Sequence, residues 1–318
     1  MKFRTEIKVE RFAEPIDHSA RVFSVGSCFA EAISGKLARS KFHVASNPFG
    51  VLYNPLSIAE AIESLAEGKI FTRSDLVFSG ERWFSYAHHG SFSAAEPEQA
   101  LAKINEAARG GAEALARADV VIITFGTAWV WELGGAVVAN CHKQPASLFT
   151  RRRLSVGEIT ERFSALLQGS LRGKRVIFTV SPVRHLADGF AENSLSKAIL
   201  RVAVGELVER HPNASYFPAY EVVSDDLRDY RFYARDLVHP SGEAVDYVWE
   251  KFVEAVVDEH TWALLPRIEA IQKALEHRPF NTDTESHRLF RQNVAQKARE
   301  LHRECPDIDF SDEIAGWM

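Results

Sequence analysis

The sequence predicts an α/β fold: a doubly wound, mainly parallel five-stranded sheet with an irregular aromatic insertion and a C-terminal helical extension. Three observations carry this expectation. Short β-branched and aromatic runs alternate with amphipathic helical patterns, the signature of repeated βαβ units. The runs are apolar on both faces, as strands of a parallel sheet covered on both sides must be. After Pro266 the alternation stops and a polar, helix-forming tail follows.

The strand candidates are RVFSV (21–25), FHVAS (42–46), DVVIITF (119–125), RVIFTV (175–180) and the weaker SYFPAY (215–220). Between them FAEAISGKLARS places Phe29, Ile33 and Leu37 on one stripe, and PLSIAEAIESLAEG, QALAKINEAARGGAEALARA and ENSLSKAILRVAVGELVERH carry similar patterns. The stretch LVFSGERWFSYAHHGSF is rich in aromatics and poor in helix formers, which predicts a hairpin or irregular insertion. The tail reads as two helical stretches broken around Pro279 to Thr284. Domains are therefore expected at 1–262 and 263–318, the second packing on the first.

The chain has 318 residues, 46% hydrophobic and 25% charged, ordinary values for a globular protein with a full-sized core. Its 38 Lys+Arg against 43 Asp+Glu leave no sequence-wide footprint for nucleic acid or an anionic membrane. The opening MKFRTEIKVERFAEPIDHSA lacks the apolar segment of a secretory signal, and no run is long enough for a membrane span, so a cytoplasmic protein is expected. Cys28, Cys141 and Cys305 are odd in number and far apart, which argues against a disulfide framework or a structural zinc site.

In such a sheet, ligands bind beyond the carboxyl ends of the strands. After the first strand comes Gly26-Ser27-Cys28, a glycine turn opening a helix. A thiol there faces unpaired helix N–H groups, which lowers its pKa; alternatively Ser27 is the helix N-cap and Cys28 a small buried hydrophobe. Far along the chain Asp236-Leu237-Val238-His239 precedes a helix with Ser241 as N-cap. An Asp three residues before a His can hold the imidazole for proton transfer, or the two form a surface ion pair. A Ser or Cys early with Asp and His late makes a candidate triad.

The run VFSVGSCFAEAISGKLARSKFHVASNPFGVLYNPLSIAEAI resembles the opening of the GSCFA family, which is similar in turn to the SGNH (GDSL-like) hydrolases. TFGTAWVW (124–131), VANCHKQP (138–145), TVSPVRH (179–185), ENSLSKAILR (192–201), DLVHPS (236–241) and HRPFN with its helical tail resemble the later blocks. The resemblance implies a flavodoxin-like sheet and lays Cys28 on the nucleophilic serine of the SGNH pattern. It also implies an oxyanion N–H at Gly50, in Asn47-Pro48-Phe49-Gly50, and keeps Asp236 and His239 as the acid–base pair. At the SGNH asparagine, however, Gly126-Thr127-Ala128 has alanine. Loss of one oxyanion donor costs about 2.7–4 kcal/mol of transition-state stabilisation, so Thr127, Asn140 or His142, in that order, is expected to replace it.

The implied activity is acyl transfer, as an esterase, deacylase or acyltransferase, on a small-molecule or carbohydrate ester or thioester. Cys28 (or Ser27) would be the nucleophile, with His239 and Asp236 as its acid–base pair. Cys28 is favoured over Ser27 because Ser27 is expected to be occupied as the cap. No organic cofactor or metal is implied, and Cys141, His142 and His239 lack ligand spacing. A binding or scaffolding protein with weak or no catalysis is the alternative raised by Ala128, and thiol redox sensing through Cys28 is a third. His88 and His89 read as structural. Arg151-Arg152-Arg153 reads as a solvated approach to a helix, open to an anionic substrate, and Gly134-Gly135 is too little for a phosphate loop.

Overall fold

A computed structural model describes residues 4–278, 280, 281 and 284–317. The first three residues of the expected leader-free start, and Pro279, Thr282 and Asp283 of the expected break in the tail, lie outside them. Through residue 153 the elements are β1 (Arg21–Gly26), α1 (Cys28–Arg39), β2 (His43–Ser46), α2 (Pro55–Ala66), β3 (Val77–Ser79), β4 (Arg82–Phe84), α3 (Pro97–Arg117), β5 (Val120–Phe125), β6 (Trp129–Leu133), β7 (Ala136–Val138) and β8 (Thr150–Arg153). There follow α4 (Val156–Gln168), β9 (Arg175–Val180), α5 (Gly189–Arg210), β10 (Ala214–Tyr216), α6 (Ala219–Glu221), α7 (Gly242–Val256), α8 (Glu259–Glu276), α9 (Glu285–Glu304) and α10 (Ser311–Ile314).

The central sheet is all parallel, in the order β10-β9-β5-β1-β2. The period of two along each strand divides its residues between two cores. Phe23 and Val25 of β1, Val121 and Ile123 of β5, and Phe178 of β9 face α2, α3, α4 and α5. Val22, Val120, Ile122 and Ile177 face α1 and α7. The chain leaves β1 for β2 on one side and returns to β5 on the other. Strand order therefore reverses between β1 and β5, where a doubly wound sheet opens its ligand crevice.

Several expectations change in detail. β10 stops at Tyr216 rather than running to 220, because Pro218 lacks the N–H a ladder needs and the chain turns into α6. The aromatic insertion contains a hairpin, β3–β4, closed by Gly80 and Glu81, both at positive φ as a two-residue primed turn requires. A second small antiparallel sheet, β7-β6-β8, and helix α4 were not singled out from the sequence. Gly134 and Gly135 are the β6–β7 turn, with φ of 59° and 86°.

The tail forms its own core from Leu264, Ile268 and Ile271 of α8, Val294, Ala298 and Leu301 of α9, and Phe310. Helix α8 runs through the expected boundary at 262/263 with Pro266 inside it, so the chain passes into the extension along a helix. Leu265 packs on both the sheet-side core and this one. At the far end of α1, Arg39 bonds Glu269 at 2.8 Å and pairs with Glu276, and Lys41 lies over the Phe310 ring at 4.3 Å. No helix among the described residues is long and apolar enough to cross a membrane.

Candidate functional site

The turn from β1 into α1 is built on close backbone approach. Gly26 has φ +144°, and a Cβ there would lie 2.2 Å from the Thr124 carbonyl oxygen. Its N–H donates to Asn47 Oδ1 at 2.8 Å, and Ser27 N–H donates to Thr124 O at 3.2 Å. Cys28 is the first residue of α1, as expected, and Ser27 holds the N-cap position. The expected side-chain cap is not made, however. Ala30 N–H bonds the Ser27 carbonyl, while Ser27 Oγ, buried beneath Gly126, has no hydrogen-bond partner. Ser27 is therefore not occupied as a side-chain cap, contrary to expectation.

The Cys28 thiol is half-buried. Burial pushes its pKa up, and the N–H of Phe29, which pulls it down, does not offset this; Glu31 raises it further, while Cys28's own N–H and Lys197 lower it. The expectation that the helix end lowers the thiol pKa is thus reversed, because desolvation of a partly covered sulfur outweighs one turn of helix dipole.

The expected oxyanion donors are mostly taken. Gly50 N–H donates to Asn47 O at 2.7 Å, and its missing side chain makes room for His89, whose Cβ would be 2.2 Å from a Cβ on Gly50. Gly126 and Thr127 N–H both donate to Tyr53 O, at 2.8 and 2.9 Å. Thr127 Oγ1 accepts Trp129 N–H and meets Ser196 Oγ, fixing the turn into β6. Asn140 Oδ1 accepts His142 N–H in a local turn, and His142 Nε2 bonds Ser85 O while its ring stacks on Phe84 at 4.2 Å. The three proposed replacements for the missing asparagine are therefore held in local structure, Asn140 through its oxygen alone. Asn47 differs. Its oxygen is committed to Gly26 N–H, and its buried Nδ2 has no partner, leaving an amide donor at the end of β2.

Asp236 and His239 form a compact pair. Asp236 Oδ1 accepts the N–H groups of Val238 and His239, both at 3.0 Å, and Oδ2 meets His239 Nδ1 at 2.6 Å. The Val238 and His239 N–H groups, then the imidazole, hold the carboxyl down to about 2. Both side chains are about half exposed. The loop leans on the segment after β9 through Arg184 N–H to Val238 O at 3.2 Å, and Ser241 caps α7 by accepting Ala244 N–H at 3.3 Å. Among the described residues no hydrogen bond joins the His239 ring to Cys28 or Ser27.

Sequence reasoning missed the most enclosed charged group at this edge. Lys197 on α5 is 1% exposed, and its Nζ donates to Gly126 O at 2.6 Å and Ser181 O at 2.7 Å, bridging the ends of β5 and β9. No carboxylate pairs with it among the described residues. Burial pushes its pKa down to about 7, opposed by the charge of Cys28. Beside it His185 Nε2 also bonds Gly126 O, at 2.7 Å, and burial followed by the Lys197 charge pushes that imidazole to about 4. The signal was present: Lys197 shares the spacing of Asn193, Leu200, Val204 and Leu207, the buried face of α5.

The other singled-out groups are structural. His88 is enclosed by Phe49, Phe71 and Phe92, and burial drives it to about 3, so it is a neutral core residue. The arginine run leads into α4, as expected, but as strand β8 rather than as a solvated loop. Arg151 pairs with Asp188, Arg152 with Glu132 at 2.7 Å and Glu158 at 2.6 Å, and Arg153 with Glu192 at 2.7 Å, so these charges are already neutralised.

The fold and this edge define a doubly wound α/β protein with a thiol, a buried amine and an Asp–His pair grouped at the carboxyl ends of its strands. The chain belongs to the GSCFA family, which it matches over residues 21–252, and residues 268–316 match the GSCFA domain protein, C-terminal domain. No curated protein matches it.

Proposed function

We propose that the protein is an acyl-transfer enzyme of SGNH-like type, with Cys28 as nucleophile and His239, oriented by Asp236, as proton carrier. The observation that carries the reading is the placement of Cys28: a half-buried thiol at the first position of a helix, beside the β1/β5 reversal, on the same sheet edge as an exposed Asp–His pair. Sulfur attack on an acyl carbonyl gives a thioester. Cys28 and Phe29 N–H groups, with Asn47 Nδ2 in place of Gly50 N–H, are the donors available to the oxyanion. The substrate class is a small-molecule or carbohydrate ester or thioester in the cytoplasm. Because a thioester reacts readily with amines and alcohols, transfer to such an acceptor is favoured over hydrolysis.

The test is treatment with acyl p-nitrophenyl esters of several chain lengths, following nitrophenolate release and intact mass. Wild type should gain one acyl group on Cys28, and Cys28→Ala should gain none. Acylation retained in Cys28→Ala but lost in Ser27→Ala would instead make Ser27 the nucleophile. A second reading, a binding or scaffolding protein, is favoured by the engagement of the Gly50, Gly126 and Thr127 N–H groups. It predicts neither release nor mass gain at any chain length.

A further inference from the structure

We infer that Arg184 binds an oxyanion, a carboxylate or a phosphate, carried by the alcohol portion of the substrate beside His239. This rests on the reading above in taking Cys28 as nucleophile and His239 as proton carrier. The segment after β9 ties the two halves of the site together. His185 Nε2 bonds the Gly126 carbonyl, and Gly126 packs on Ser27, since a Cβ there would be 3.4 Å from Ser27 Cβ. One residue earlier, Arg184 N–H donates to Val238 O at 3.2 Å and Nη1 meets Leu237 O at 3.4 Å. Arg184 therefore sits at the His239 end of the site.

Three rings surround the guanidinium, with centroids 3.9 Å (Tyr233), 5.1 Å (Tyr230) and 6.0 Å (Phe190) from its carbon. A guanidinium stacked on rings still presents its planar fork of N–H donors along its edge, the geometry that holds a carboxylate or phosphate by two bonds at once. Elsewhere in this chain that arrangement is completed internally. Arg4, Arg73, Arg151, Arg153, Arg201 and Arg231 each lie over an aromatic ring and pair with a carboxylate. Arg291, in the tail, donates to Gly316 O. Arg184 has the rings, but no carboxylate pairs with it among the described residues, and the Leu237 carbonyl occupies only one corner of its fork. The surroundings are open and apolar: Phe190 is 59% exposed, Tyr230 58% and Leu237 48%. A lone cation set among exposed apolar groups is how ligand sites fix orientation.

The chemistry assigns the anion to the alcohol. His239 protonates the departing alkoxide in the first half-reaction and takes the proton of the incoming acceptor in the second. Both times the alcohol oxygen lies at the imidazole while the acyl carbon lies at Cys28. The rest of the alcohol then extends over the loop 234–240, where Arg184 stands, and the acyl chain points away from it. One fork thus holds the donor alcohol and the acceptor in turn.

The experiment compares aryl acetates that differ in the leaving group: 4-acetoxybenzoate, 4-acetoxyphenyl phosphate and the neutral methyl 4-acetoxybenzoate. Each kcat/KM is read from phenol release and divided by the rate constant for hydroxide-catalysed hydrolysis. Wild type should prefer at least one anionic ester over the neutral one by about 10–100-fold, the worth of a charge-assisted hydrogen bond, and the better of the two names the anion. Arg184→Met should lose that ratio and Arg184→Lys should recover part of it. A strut for the His239 loop would instead slow all three esters alike and leave the ratio intact. Arg235→Met, which removes an exposed cation from the same loop, should keep the ratio. Turnover with no anionic preference in wild type overturns the proposal without any variant, as does a ratio that survives in Arg184→Met or is lost in Arg235→Met; acyl transfer then stands alone. Calorimetric titration with 4-hydroxybenzoate and 4-hydroxyphenyl phosphate separates the two readings. Binding that Arg184→Met abolishes, in a protein that turns over none of the esters, keeps the anion site and removes acyl transfer. No binding and no turnover removes both.

Discussion

Two sets of titratable groups occupy the same edge of the sheet and are governed by opposite physics. Asp236 and His239 sit in solvent, and there explicit hydrogen bonds set the carboxyl: two backbone N–H groups and an imidazole hold it to about 2. Cys28 is half-buried and Lys197 fully so, and there loss of water dominates, raising the thiol and lowering the amine to about 7. The exposed pair is fixed in one protonation pattern around its carboxylate.

The largest effect that sharpens this contrast concerns the exposed pair. His239→Ala should slow acyl-enzyme formation by about 10²–10⁴-fold, the usual contribution of a positioned acid or base, in single-turnover kinetics with a p-nitrophenyl ester. Because Asp236 stays ionised down to about 2, Asp236→Asn removes a carboxylate that is charged throughout the neutral and mildly acid range, and it should lower the rate in the same assay at every pH in that range by leaving the imidazole unanchored.

A smaller effect tests the buried amine through stability. The Lys197 folded-state pKa, about 7, lies below the ordinary 10.5. Between those values the unfolded chain binds a proton that the folded chain does not, so stability rises with pH through this window. Wild type should therefore gain on Lys197→Met by at most about 1.4 kcal/mol per pH unit from neutral to about 10, measured by urea unfolding at a series of pH values. Parallel pH dependences would mean that the amine stays charged in the folded protein.

The smallest effect compares two helix starts. Ser241 accepts a backbone N–H, so Ser241→Ala should cost about 0.5–2 kcal/mol. Ser27 Oγ has no partner, so Ser27→Ala should change stability by no more than about 0.5 kcal/mol in chemical denaturation.

The sheet was legible because each strand is a short apolar run and each crossover a periodic helix, signals that survive without tertiary information. Cys28 at the first helical position and the Asp236–His239 contact were legible because both are local. What failed did so for identifiable reasons. Thr127, Asn140 and His142 are polar groups next to turns, and local hydrogen bonds hold all three, Asn140 through its oxygen alone. The Ser27 cap was assigned from residue type, but the carbonyl does the work and the hydroxyl is packed away. Lys197 was passed over because a lysine on a helix is ordinarily solvated, although its spacing placed it on the buried stripe. Strand β8 escaped because three consecutive arginines look like surface, whereas here two of them flank and stack on the Trp129 indole.

The glycine contacts at the site also limit how this sequence can drift. Every missense change of one nucleotide in a glycine codon installs at least a Cβ. At Gly26 that atom would fall 2.2 Å from a carbonyl oxygen of β5, at Gly50 2.2 Å from the His89 side chain, and at Gly126 2.9 Å from the Tyr53 carbonyl. Codons 26 and 126, each facing backbone that cannot swing aside, should be closed to single-step substitution, whereas codons 68, 80 and 134 face open space and are restrained only by their φ. Among descendants of this gene, changes should therefore accumulate at the hairpin and helix-end glycines while the two packed around the β1–α1 turn stay fixed.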